Sequence, residues 1–125
     1  LYREDGKLDS RIIAKGDLVA TAVTMLEEIQ MALFADAKAR LDGAIDASIT
    51  DLNALKAYFN ASKKPGWALV QWAKPTGAEL DKAVQWLKGE KLTLRNVPSD
   101  APAANGACIF TGGPAVERVL VGRSY

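Results

Sequence analysis

The one cysteine of the chain lies in the stretch Gly106-Ala107-Cys108-Ile109-Phe110-Thr111-Gly112-Gly113-Pro114-Ala115. A thiolate, two spacers, a second ligand and a small-residue turn outline a zinc knuckle. Such a half-site normally comes twice, because Zn²⁺ takes four soft or borderline ligands. Here Thr111 stands where the second thiolate would be, and the chain has no histidine. The outline of a metal site is present without the ligands to fill it. Cys108 therefore reads as a small buried hydrophobe.

Other groups capable of chemistry are scattered. The carboxylate pairs Glu27/Glu28, Asp46/Asp51 and Glu79/Asp81 lack a His or Lys at a catalytic spacing. Each reads as a solvated face. Neither a Gly-x-Ser-x-Gly nor a phosphate-loop pattern occurs. Trp67, Trp72 and Trp86 could stack on RNA bases. Two of them flank a strand and the third lies late in a helix, so they read as packing residues. Lys63-Lys64 reads as a solvated turn rather than a phosphate site.

The bulk numbers narrow the function classes. The chain has 125 residues, of which 49% are hydrophobic and 25% charged. It fits one domain or a small domain with an appendage. It can bury a core without a metal or disulfide. Sixteen basic and fifteen acidic residues give a net charge of +1 and no long charge run. Nothing in that balance marks a basic nucleic-acid face. No apolar run approaches the ~20 residues of a membrane span. No signal peptide is visible, and a start at Leu1 rather than Met reads as a piece of a longer polypeptide.

The elements that would position these groups follow from pattern. Glu4-Asp5-Gly6-Lys7 reads as a turn. Asp17 is placed to cap a long helix over 18–42. The apolar stripe of that helix includes Leu18, Ala22, Leu26, Ile29, Leu33, Ala37 and Leu41. The stripe fits a helix packed on its own protein better than a coiled-coil seam. Thr50 is placed to cap a second helix from Asp51 to about Ala61. Trp67–Trp72 reads as a strand after a Pro-Gly breaker. Thr76-Gly77-Ala78-Glu79 reads as a capping box opening a helix to about Lys88. Lys91–Val97 follows as a strand, so strand, helix and strand make a crossover unit with parallel strands. Residues 107–110 and 116–121 then read as a hairpin turning at the glycines. The fold class is α+β in two layers: a mixed sheet of about four strands, helices on one side, and a long connecting helix before it.

The terminal Gly122-Arg123-Ser124-Tyr125, with the Cys108 knuckle outline before it, resembles the end of prolyl-tRNA synthetases of the eukaryotic/archaeal-like type. The resemblance continues upstream in Met25 to Gln30, Leu33 to Ala37, Thr50 to Phe59, Gly66 to Trp72 and Arg95 to Pro98. It implies that residues 1–17 are the end of an anticodon-binding domain and linker, with Tyr2 to Lys7 a variant of a family segment. Residues 18–125 would be the C-terminal domain. The family's four zinc-ligand positions would fall on Ala73, Ala78, Cys108 and Thr111, so zinc is expected to be absent. A hydroxyl and two methyl groups do not bind Zn²⁺ at neutral pH.

What the resemblance implies for function is a structural part of a proline–tRNA ligase, a class II aminoacyl-tRNA synthetase. The part would hold no catalytic residue or cofactor of its own. It would support the ATP- and Mg-dependent attachment of proline to tRNA(Pro) and carry Tyr125 toward the active site. Implied partners are the catalytic and anticodon-binding domains of the same chain, tRNA(Pro) and a second copy in a homodimer, in the cytoplasm and away from membranes. The other reading is a zinc-ribbon-derived module that binds protein or RNA without enzymatic role. The tail from Gly122 to Tyr125 is expected to fray when the catalytic domain is missing.

Overall fold

The computed structural model describes residues 12–125, so the turn expected at Glu4–Lys7 and most of the segment expected to end an anticodon-binding domain lie outside the described residues. The chain divides into two compact units, one ending at Gly43 and the other running from Ala44 to Tyr125.

The first unit is dominated by one helix. A 3-10 turn, Lys15–Asp17, leads directly into α1, Leu18–Gly43. Asp17 lies inside the 3-10 turn, and the extended residue before that turn is Ala14, so Asp17 is not the cap that its position suggested. The exposed flank of α1 carries two ion pairs at i,i+4 spacing. Lys38 meets Asp42 at 2.7 Å and Arg40 meets Asp36 at 2.8 Å. By length and composition alone, Lys15–Gly43 is long and apolar enough to cross a membrane, although no uninterrupted apolar run within it approaches ~20 residues. Glu27 and Glu28 fall near its middle. A carboxylate at the centre of a bilayer costs about 3 kcal/mol.

The second unit is α+β. After β1, Ile45–Asp46, come α2, Leu52–Asn60; β2, Trp67–Trp72; α3, Gly77–Gly89; β3, Leu92–Leu94; and β4, Glu117–Arg123. The sheet order is β1-β2-β4-β3. β1 runs parallel to β2, while β4 is antiparallel to both β2 and β3. β2 and β3 are thus parallel, as a strand-helix-strand unit requires, but β4 is inserted between them.

Register decides which side chains face the helices. Pairing Ala68 with Val121 and Val70 with Val119 puts these residues on one face, and Leu94 joins through its pairing with Val121. That face meets Leu55 and Phe59 of α2 and Ala83 and Leu87 of α3 in one buried cluster. Both helices therefore cover the same side of the sheet. Asp51, rather than Thr50, caps α2. Its carboxylate accepts from the Ala54 amide at 2.8 Å. Thr76 is the N-cap of α3 but makes no side-chain cap bond. The next residue, Gly77, enters the helix at φ +59°, and the expected capping box does not close.

The fourth strand is not where its apolar run placed it. Residues 108–111 form a turn, closed by the Gly112 amide on the Cys108 carbonyl at 2.9 Å, and only the bridge Ala107–Pro114 remains of the expected hairpin. The two-residue β1 completes the sheet instead. β3 is shorter than expected, although Arg95 donates to the Leu120 carbonyl and Leu120 to the Asn96 carbonyl, carrying the ladder on irregularly.

On the face away from the helices, the Trp67 ring lies against the backbone of Gly122. A Cβ at Gly122 would stand 2.5 Å from Cζ3 of that ring. Gly122→Ala is expected to lower stability by roughly 1–3 kcal/mol, because ring or strand must shift. Denaturant melts of Gly122→Ala alone and with Trp67→Leu would measure it. The larger ring should make the alanine costly, and the double variant should recover part of the loss.

Candidate functional site

Two features can carry function: the turn around Cys108 and the end of β4. The turn lies along the edge of β2 beyond the short β1. The Ile109 amide donates to the Gln71 carbonyl at 3.1 Å, and the Cys108 amide to the Gly113 carbonyl at 2.7 Å. Phe110 makes edge contacts with Trp72 and Trp86 at centroid separations of 5.5 and 5.9 Å. Edge-on packing of this kind is a favoured aromatic geometry. Trp72 is buried in the core and Trp86 packs against it.

Cys108 is buried at 2% exposure. Burial pushes its thiol up, but donors reverse the balance. The Thr111 hydroxyl and the backbone amides of Thr111, Phe110 and Ala73 favour the thiolate and leave the thiol below its ordinary pKa. Three of the four positions singled out in the sequence, Ala73, Cys108 and Thr111, therefore meet around one sulfur. Ala78 stands exposed in the first turn of α3. Among the described residues, no group of three or more His, Cys, Asp or Glu side chains could hold a metal ion. The arrangement is a knuckle in which backbone N–H groups point at sulfur.

The end of β4 is held from several directions. The Arg123 guanidinium donates to the Phe59 carbonyl, and Arg95 Nη2 reaches the Arg123 carbonyl at 3.3 Å. The Ser124 amide donates to the Lys91 carbonyl at 2.8 Å. The expected fraying thus does not extend over Gly122–Ser124: the β4 ladder reaches Arg123, and one more backbone bond ties Ser124. Tyr125 alone projects, with its side chain fully exposed. The Arg95 guanidinium also lies 5.8 Å from the Trp67 ring centroid. That separation is within cation–π range.

The carboxylate pairs do not form a site. Asp46 accepts from the amide and hydroxyl of Ser48 at 2.8 and 2.6 Å, and the Ser48 hydroxyl and amide lower its pKa. Asp51 is the α2 cap. Glu79 and Asp81 are exposed on α3. Sequence reasoning did not identify Arg95, Arg123 and Gly122 as the clasp on the tail. The signal was the β4 alternation, which puts Arg123 on the helix-facing side and Gly122 opposite.

No family model matches the chain. Curated relatives do. A proline–tRNA ligase of Sphingomonas elodea is 60% identical over 126 residues, covering all of this chain and 25% of the relative. A proline–tRNA ligase of Sphingopyxis alaskensis is 55% identical, covering all of this chain and 23% of the relative. One of Bdellovibrio bacteriovorus is 34% identical, covering 98% of the chain and 24% of the relative. The chain thus spans about a quarter of the length of the relatives it matches, and the match falls on their C-terminal portion.

The Cys108 turn yields a pH-dependent expectation. An acid whose folded pKa is depressed adds stability that is complete above the unfolded value and lost as pH falls through the folded one. Wild-type stability should therefore rise with pH across the window just below the ordinary thiol pKa, relative to Cys108→Ser. Chemical melts of both proteins across that window would show it. Parallel pH profiles would mean that the donors do not stabilise a thiolate.

Proposed function

We propose that this chain is the C-terminal domain of a proline–tRNA ligase of the eukaryotic/archaeal-like type and serves it structurally, presenting Tyr125 to the active site. In this reading, proline activation with ATP and Mg²⁺ and transfer to tRNA(Pro) are performed by the catalytic domain, with the anticodon-binding domain holding the tRNA. The enzyme would act in the cytoplasm as a homodimer. The observation that carries the proposal is the joint one: similarity along the whole of this chain to the C-terminal quarter of proline–tRNA ligases, and a chain end held by backbone bonds through Ser124.

The chemistry available at that terminus is a phenol and an α-carboxylate on a short lever. A fixed strand end restricts where these groups can go, so little ordering entropy is left to lose when they seat in a neighbouring site. The knuckle turn would act as a brace beside the sheet. We propose that it folds without zinc. The positions that the resemblance gives to three further thiolates carry Ala73, Ala78 and Thr111, and the Cys108 sulfur takes its hydrogen bonds from backbone amides and the Thr111 hydroxyl.

The direct test is proline-dependent pyrophosphate exchange with ATP. The full-length protein should catalyse it, and the 125-residue chain alone should stay at background. Metal analysis of the same full-length preparation should find no stoichiometric zinc bound in this domain. Exchange specific for another amino acid would reject the assignment. Exchange by the isolated chain that is lost on mutating one of its residues would reject the structural role.

A further inference from the structure

We propose that the cleft beside the terminal tyrosine binds the phosphodiester backbone of tRNA. The proposal rests on the ligase reading and gives this domain a substrate contact of its own. The cleft holds about 630 Å³ and is lined by Lys63, Lys88, Lys91 and Arg123, with Leu92 and the Ser124–Tyr125 end of the chain. Its cations come from four places: the loop after α2, the last turn of α3, the turn before β3, and the end of β4.

The overall charge of +1 conceals this concentration because the structure sorts the charges. Lys38, Arg40, Lys56 and Lys74 pair with carboxylates. Among the described residues, Lys63, Lys88 and Lys91 have no such partner. The acid that could neutralise them in sequence, Glu90, turns away to Lys56 Nζ at 2.6 Å. No side chain lining the cleft is acidic, so the one negative group set against its four cations is the α-carboxylate of Tyr125. Like charges gathered in a concavity raise the local potential and attract a polyanion.

The cations are also held in place. Lys91 sits at φ 55°. That is an uncommon conformation for a residue with a side chain. Its amide donates to the Lys88 carbonyl at 3.1 Å and its carbonyl accepts from Ser124 at 2.8 Å. Arg123 is fixed by the Phe59 carbonyl. These bonds hold the backbone of Lys88 and Lys91 and the side chain of Arg123 in one frame. The cleft is open, and it has no facing aromatic pair to sandwich a base. Cations spread over separate elements suit successive phosphates of a strand better than one enclosed nucleotide. Contacts of this kind position a nucleic acid without reading its sequence.

The experiment uses the full-length protein that carries this chain. The affinity for tRNA(Pro) is measured as a function of salt for wild type, for the triple variant Lys63→Gln/Lys88→Gln/Lys91→Gln, and for Lys82→Gln, which removes a charge from α3 outside the cleft. Each lost phosphate contact should flatten the log–log slope by about 0.7–0.9. The triple variant should therefore lose roughly two to three units of slope. Lys82→Gln should match wild type, and the KM for ATP should not change in either. If the triple variant melts lower than wild type, Lys63→Gln in its loop is read alone, with about one contact's loss expected. An unchanged slope, or a raised KM for ATP at unchanged slope, overturns the proposal. Proline-dependent exchange needs no RNA and checks the ligase reading separately. Intact exchange with an unchanged slope rejects the cleft alone. Absent exchange with a flattened slope rejects the ligase and keeps the cleft.

Discussion

The architecture of the second unit depends on a late strand entering a space left by two earlier ones. β4 pairs with β2 along one edge and with β3 along the other, so it supplies the ladder that joins them. Entry is possible because Gly122 offers no side chain to the Trp67 ring. A β-carbon there would force the ring away or push the strand out of register. Val119 and Val121 then complete the buried face, and Arg123 arrives under the Phe59 carbonyl. The last residues are therefore placed by the sheet itself, as the central strand's continuation.

The Cys108 turn supports that strand from the side. Its Ile109 amide bonds to β2, Phe110 packs against Trp72 and Trp86, and Val116 donates to the Trp72 carbonyl just before β4 begins. A polar set on the other face does related work: Arg118 Nη2 donates to Asn105 Oδ1 at 2.9 Å, and the Gln71 amide side chain contacts the same atom at 2.8 Å. This ties the long loop before the knuckle to the β2–β4 pair. The sulfur and its donors form a buried turn. Sulfur can accept several weak hydrogen bonds in a buried place where a methyl group would leave them unmade.

Much of this was legible in residue order. The Pro-Gly breaker before a continuous apolar run located β2 to the residue, and the three- and four-residue spacing located α1 and α3 closely. β1 was invisible, because two residues have no periodicity. The run Ala107–Phe110 misled for the opposite reason: its apolar residues are buried by a turn and not by a ladder. Thr50 shows that a capping residue type near a helix start does not fix which residue caps, and Thr76 that the N-cap position does not by itself make the cap bond. The cleft was illegible, since Lys63, the neighbouring Lys88 and Lys91, and Arg123 come from three distant stretches of sequence and composition sums their charge with acids that face elsewhere. The resemblance at Gly122–Tyr125 carried the functional reading, and local chemistry could not have replaced it.

In the function proposed above, the fixed end of β4 holds one terminal residue for a reaction performed elsewhere in the full-length protein. The most direct measurement compares that protein with and without Tyr125, in proline activation, aminoacylation and thermal melting. Tyr125 is fully exposed and lies outside the core. Its deletion should shift stability by less than about 1 kcal/mol. The expected result is a clear loss of activation or transfer at an unchanged melting temperature. Unchanged kinetics at an unchanged melting temperature would contradict it and leave the domain a brace only.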